Sequence, residues 1–305
     1  MKTKVPRQVL KSVPKWALPD KNKALEQKIK LTIITPVFNG AAFIEKCLEN
    51  VGTQVTEEIE HLILDGLSTD GTAEKVRAYA EKHPHVRLIS EKDKGQSDAM
   101  NKGVTIAKGS VIGFLNVDDY YEPGILPRII PLFEGKKEPA FICGNLNIWN
   151  ADGSFRHFNK PDQINLVELA SNCFEWPYNP SAYFYHKSLH QLTGPYNLDN
   201  HYCMDYEFIL EAARLISLEH VDELWGNFFM AEGSKTQATN KKKADELFFV
   251  GKAIRDRYIL NFTPAQKEAF SKVLEDNKLL HITPERKNEK LLRQVKTLVK
   301  KFIRF

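Results

Sequence analysis

The chain has 305 residues, of which 42% are hydrophobic and 27% charged, with four cysteines. This is the make-up of a globular protein long enough to bury a sizeable core in one large domain or in one domain with an appendage. Net charge is +4 but unevenly spread: residues 1–30 hold nine basic and two acidic side chains and residues 285–305 hold eight and two, which leaves 26 against 35 in the body. An acidic body between basic ends argues against a nucleic-acid face.

Residues 1–30, MKTKVPRQVLKSVPKWALPDKNKALEQKIK, contain no apolar stretch of the kind a signal peptide needs. No run approaches the roughly 18 apolar residues of a spanning helix. A cytoplasmic protein is therefore expected. Cys47, Cys143, Cys173 and Cys203 are far apart in sequence and form no CxxC pair, so they read as small apolar residues in a reducing compartment.

The elements begin after a basic N-terminal arm, 1–30. Leu31–Thr35 reads as a buried strand, followed by Pro36 and a helix around Ala41–Val51. Glu60–Leu64 is a second strand ending at Asp65. Asp70–Lys82 is a helix with an aspartate at its start. Val86–Ser90, Ser97–Ala107 and Ser110–Leu115 continue as strand, helix and strand. This βαβαβαβ order predicts a mostly parallel sheet flanked by helices.

In such sheets ligands bind at the carboxyl ends of the strands. Pro36–Asn39, Asp65-Gly66, Glu91–Asp93 and Asn116–Asp119 each follow a strand directly. Four polar clusters are thus predicted along one edge. The last poses a sharp question, because the apolar run Val111–Leu115 ends in two adjacent carboxylates. Like charges side by side repel and push a pKa upward. Either the pair is a solvated strand end, or a cation belongs there.

Further along, Ala140–Ile148, Phe155–Phe158, Ser181–Tyr185 and Leu224–Met230 read as strands, with helices near Ile164–Ser171 and Met204–Leu215. They predict an α+β extension of the sheet, a natural place for a second substrate. From Ala238 the pattern is helical. Thr263-Pro264-Ala265-Gln266 is a capping box with proline at the first helical position, and Thr283-Pro284 repeats the Thr-Pro start. The segment after the first strand reads TPVFNGAAF, without the GxGxxG of a dinucleotide site, and no Walker A sequence occurs. Carboxylates holding a metal are the alternative way to neutralise a pyrophosphate.

The segments TPVFN, LDGLSTDGT, EKDKGQSDAMNKGVTIAKG and FLNVDD, in this order and spacing over 31–121, resemble the family-2 glycosyltransferases of the GT-A fold. The likeness continues more weakly through 179–212 to EGSKT at 232–236. It implies a GT-A, Rossmann-like α/β domain at 31–236, with a nucleotide-sugar half (31–121) and an acceptor half (122–236). A C-terminal helical extension at 237–305 follows. The implied activity moves a sugar, with inversion, from a nucleotide diphosphate sugar (UDP, dTDP or GDP type) to a glycan or lipid-linked acceptor hydroxyl. Pro36 and Phe38 would contact base and ribose, and Asp65 would accept a hydrogen bond from the base. Lys94, Gly95, Asp98 and Asn101 would face the donor's phosphates and sugar. Asp118 and Asp119 would hold Mn²⁺ or Mg²⁺ and a ribose hydroxyl, and Asp205 would be the general base, with Glu207 as its alternative.

Two positions depart from the family pattern. Asn116 stands where an aspartate is frequent, so it can bond a ribose hydroxyl but adds no charge. Ala231-Glu232-Gly233 stands where a histidine is frequent, so either Glu232 substitutes as third ligand or the metal is held more loosely. Asp70 reads as a helix start. His186, His190 and His201 read as partly exposed packing residues, and Trp149, Trp176 and Trp225 as core or rim packing.

Leu291, Leu292, Val295, Leu298, Val299, Phe302 and Ile303 recur at helical spacing among six basic residues, Lys290, Arg293, Lys296, Lys300, Lys301 and Arg304, within 285–305. Such a helix suits the anionic inner face of a cell membrane; the alternative is packing on the body or on a second copy in a homo-oligomer. The rival functions are a sugar-phosphate nucleotidyltransferase, which would want a glycine- and arginine-rich phosphate loop after the first strand, and a sugar-nucleotide-binding protein without turnover.

Overall fold

A computed structural model describes residues 29–200, 202–230 and 241–280. Nearly all of the N-terminal arm, His201, the 231–236 segment with Glu232, Thr283-Pro284 and the amphipathic stretch 285–305 lie outside the described residues. The chain divides into two compact units, Met1–Asn261 and Phe262–Phe305.

The first unit opens with β1 (Leu31–Val37), α1 (Ile44–Gly52), β2 (Ile59–Asp65), α2 (Thr72–Ala80), β3 (Val86–Ser90), α3 (Gln96–Ile106) and β4 (Val111–Phe114). Then come β5 (Tyr120–Tyr121), α4 (Leu126–Phe133), β6 (Phe141–Asn150), β7 (Phe155–Asn159) and α5 (Leu166–Ser171). A 3-10 turn (Pro180–Ala182) leads to β8 (Tyr183–His186), α6 (Leu189–Thr193), α7 (Met204–Leu215), β9 (Glu219–Met230) and α8 (Lys241–Leu260). The second unit contains α9 (Pro264–Leu280). Its predicted capping box is formed: Gln266 N–H donates to Thr263 Oγ1 at 3.2 Å, and Thr263 N–H to Gln266 Oε1 at 2.9 Å.

All nine described strands join one sheet in the order β3-β2-β1-β4-β8-β6-β9-β5, with β7 on β6. Strands β1 to β4 pair in parallel. β8 runs antiparallel to both β4 and β6, and β9 pairs with β6 in parallel, so six strands share one direction. β1 and β2 are largely apolar and buried on both faces, whereas the edge strand β3 is fully buried only at Val86. Ile44, Cys47, Leu48 and Val51 place one buried stripe of α1 against them at helical spacing. The chain runs β1, β2, β3, then returns to the far side of β1 for β4. The carboxyl ends of β1 and β4 therefore flank the point where strand order reverses.

Several elements differ from the sequence reading. β1 continues through Pro36 to Val37. Pairing with β4 ends at Ile34 opposite Phe114, so no ladder bond is asked of the nitrogen that proline lacks on that side. β5, α4 and α6 were not expected. β5 is only two residues long and is held by Asn50, whose side chain bonds both Tyr121 N–H and Tyr121 C=O at 2.9 Å. β9 starts at Glu219 rather than Leu224, because its first half pairs with β6 despite its charged residues.

Candidate active site

A cavity of about 700 Å³ opens at the strand-order reversal. Pro36, Val37 and Phe38 reach it from the end of β1, Asn116 to Asp118 from the end of β4, and Gly95, Gln96 and Met100 from the start of α3. Asn179, Met204, Asp205 and Phe228 complete it from residues 122–236. Of the residues singled out by sequence, Pro36, Phe38, Gly95, Asn116, Asp118 and Asp205 line it. Asp65, Lys94, Asp98, Asn101 and Asp119 do not.

The residues behind the lining hold its loops. Asp65, buried at the end of β2, accepts from Ser90 Oγ at 2.6 Å and from Ser68 N–H at 3.2 Å. That second bond fixes a turn in which Leu67 takes a left-handed φ of 63°. Gly66 lets the turn lie against the next loop; a Cβ there would stand 2.7 Å from Asp93 Oδ2. Gly95 has φ 110°, a conformation glycine accommodates, and its N–H donates to Asp93 Oδ1 at 2.8 Å. Asp98 accepts from Lys94 N–H at 3.0 Å, and Asn101 clamps both backbone groups of Tyr196, at 2.8 and 2.9 Å. Asp70 lies just before α2, whose N-cap is Gly71, and accepts from Thr72 N–H and Ala41 N–H; these bonds, that of the Thr72 hydroxyl foremost, hold its pKa low.

The adjacent carboxylates differ sharply. Asp119 is buried, with Oδ1 accepting from Phe229 N–H at 3.0 Å and Oδ2 from Asn116 Nδ2 and Asn179 Nδ2 at 2.9 and 2.7 Å. It ties β9 and the 179–182 turn to the end of β4. Asp118 faces the cavity, and no described side chain donates to it. Burial raises the pKa of both, and for Asp119 the charge of Asp118 adds to it. Among the described residues no cluster of three His, Cys, Asp or Glu side chains could enclose a metal. The donor set still fits a hard cation: Mg²⁺ and Mn²⁺ are commonly held by one or two carboxylates with substrate phosphates and water. Asp118 offers one carboxylate beside open space.

Asp205 sits in the first turn of α7, where the helix dipole favours an anion. Desolvation nevertheless pushes its pKa up to about 6, against the pull of Tyr206 N–H, which donates to Oδ1 at 2.8 Å. Glu207 lines neither this cavity nor the next. Burial works to raise its pKa, but Asn200 Nδ2 at 2.9 Å and Arg257 at 2.5 Å hold it low overall.

A second cavity, of about 480 Å³, shares Tyr178, Tyr202, Asp205 and Phe228 with the first. Asp205 therefore stands where the two meet. Trp176 lines the second cavity, with its ring centroid 4.8 Å from that of Tyr206. Trp225 is wholly buried, and Trp149 stacks on Phe229 with Nε1 donating to Asn227. His186 is a packing residue that is buried rather than partly exposed, with Nδ1 accepting from Ala140 N–H at 3.0 Å; His190 is a partly exposed packing residue as expected, and desolvation lowers its pKa to about 4. The four cysteines form no disulfide with one another.

Sequence reasoning passed over Asn179, Tyr178 and Phe228. The Asn-Pro dipeptide at 179–180 was the available signal, since it marks a turn. Phe228 carried none, because only the parallel pairing of β9 with β6 brings it to the cavity.

Residues 32–194 match the model of glycosyl transferase family 2. The chain is 33% identical over 183 residues to a PGL/p-HBAD biosynthesis glycosyltransferase of Mycobacterium bovis, covering 58% of this chain and 67% of that one. Among solved structures, residues 1–349 of Staphylococcus aureus TarS superpose with a TM-score of 0.60 at 16% identity, covering 81% of this chain and 71% of that one; the same fragment is also known in complex with UDP-GlcNAc. The mannosyltransferase PcManGT of Pyrobaculum calidifontis, in complex with GDP-Man and Mn²⁺, superposes with a TM-score of 0.52 at 15% identity, covering 89% and 80%. These two likenesses are of fold.

Proposed function

The chain belongs to glycosyl transferase family 2, and on that premise we propose that it transfers a sugar, with inversion and with a divalent cation, from a nucleoside-diphosphate sugar in the first cavity to a hydroxyl presented from the second. The observation that carries this is the position of Asp205, a carboxylate shared by two cavities, with Asp118 in the first only. The donors bound by TarS and PcManGT, UDP-GlcNAc and GDP-Man, support the choice of donor class. The mycobacterial relative's role in PGL/p-HBAD biosynthesis supports a glycolipid or surface polysaccharide as product.

The base and ribose occupy the end of β1, where Phe38 offers an exposed ring and Asp65 lies below the loop. Gly95 and Gln96 at the start of α3 face the phosphates, since helix N-termini favour anions. Asp118 would hold the cation, which when bound would supply charge neutralisation to the departing diphosphate. Asn116 and Asp119 keep that strand end in place. Asp205 takes the proton from the acceptor hydroxyl as it attacks from the side opposite the leaving group. Its raised pKa suits this task, because the base is ionised near neutrality yet basic enough to accept a proton. Residues 31–236 form the catalytic portion in this reading.

The test is release of nucleoside diphosphate from UDP-GlcNAc and GDP-mannose with Mn²⁺, Mg²⁺ or EDTA. Release with metal alone, lost in Asp118→Asn and lowered at least a hundredfold in Asp205→Asn, supports the proposal. Release that ignores metal and both substitutions refutes it.

A further inference from the structure

Arginine pairing singles out the second cavity. Of the seven described arginines, Arg77, Arg87, Arg128, Arg214 and Arg257 each form an ion pair with a described glutamate. Arg156 and Arg255 form none with any described carboxylate, and both line the second cavity. They arrive from distant parts of the chain, Arg156 from the β7 strand of a hairpin and Arg255 from α8. Arg156 donates from Nη1 to Asn150 Oδ1 at 3.2 Å, and Arg255 bonds Tyr206. Each guanidinium has five N–H donors and stays charged, so most of that capacity is unspent.

Two guanidiniums with no described carboxylate partner, facing one space, repel each other unless an anion joins them. Their planar forks match the two oxygens of a carboxylate or phosphate. His157 adds a third group of the same kind when protonated, though Glu175 already pairs with it. Trp176, half-buried on the same wall, offers the flat apolar face that a pyranose ring covers. Among the described residues the one carboxylate in the lining is Asp205, at the junction with the first cavity.

We propose that the second cavity is an acceptor subsite selective for an anionic saccharide, with Arg156 and Arg255 holding its oxyanion and Trp176 its ring. This rests on the transferase reading above. Repulsion from Asp205 helps to orient the acceptor: the charged group is driven to the arginine end, which leaves a neutral hydroxyl at the base. Carboxylate and phosphate are the two sources of that charge, and either satisfies the same fork.

The test is calorimetric titration of the whole chain with three probes: a hexuronate disaccharide, its methyl ester and a disaccharide phosphate. The expected result is binding of an anionic probe at least tenfold tighter than the ester, weakening with salt. That preference falls below twofold in Arg156→Ala/Arg255→Ala and survives in Arg77→Ala, whose arginine is paired at the surface. The tighter of the two anionic probes identifies the source of the charge. Equal binding of acid and ester, a preference that survives the double variant, or no anionic binding overturns the proposal. UDP and GDP titrated in parallel report on the first cavity alone, so failure of the donor reading shows separately, and retained nucleotide binding confirms that the variants fold.

Discussion

Replacing Asp205 by asparagine should destroy transfer and stabilise the fold. The carboxyl pKa is pushed from 3.8 to about 6, chiefly by desolvation. The folded protein therefore binds this proton more tightly than the unfolded chain does. Stability from this group is present below pH 3.8 and lost as pH rises toward 6, so above pH 7 the ionised carboxylate is a liability. At 1.36 kcal/mol per pKa unit the cost is at most about 3 kcal/mol. Asparagine carries no charge, keeps the shape and can still accept from Tyr206 N–H. Asp205→Asn should thus be more stable than the parent by about 1–3 kcal/mol at pH 8, with the gain reduced to roughly half at pH 5. Urea unfolding at both pH values measures this. The same titration sets a rising limb in kcat/KM with an apparent pKa near 6, absent in the variant. A variant less stable than the parent at pH 8, or a gain larger at pH 5 than at pH 8, would refute the reasoning.

Other consequences separate residues that look alike in sequence. Asp119→Ala orphans three N–H donors and should lower stability by about 2 kcal/mol or more. Asp118→Ala should change stability by less than about 0.5 kcal/mol while abolishing metal-dependent nucleotide binding; thermal unfolding and calorimetry read the two effects. Phe38 is 66% exposed at the cavity, so Phe38→Ala should leave unfolding unchanged yet raise the donor KM roughly tenfold, since base stacking contributes about 1–3 kcal/mol. Gly144→Ala places a Cβ 2.4 Å from the buried Trp225 ring and should cost about 1–3 kcal/mol in urea unfolding.

The fold of residues 31–121 was legible because it is built from local signals. Apolar runs such as Leu31–Thr35 and Glu60–Leu64 became parallel strands, and the polar residues after them came to one edge, as the βαβ order demands. The split between Asp118 and Asp119 was not legible. Neighbouring residues on a chain leaving a strand point different ways, and only the arrival of Phe229 and Asn179 decides which one is occupied by protein. Pro36 suggested an early strand end, but β4 stops first and makes the missing N–H harmless. Lys94, Asp98 and Asn101 matched the donor-facing segment in sequence, yet the last two spend their side chains on loop and backbone bonds. The second cavity could not be read at all. Arg156 and Arg255 are separated by about a hundred residues, and their lack of a carboxylate partner among the described residues is a property of tertiary packing.

The most direct measurement is calorimetric titration of UDP and GDP into the protein with Mn²⁺ and again with EDTA, repeated on Asp118→Asn. One nucleotide should bind with metal, and lose that binding in EDTA and in the variant. Binding that is indifferent to metal and to Asp118, or no binding of either nucleotide, would mean that the carboxylate at the end of β4 is only a solvated strand end and that the first cavity is not the donor site.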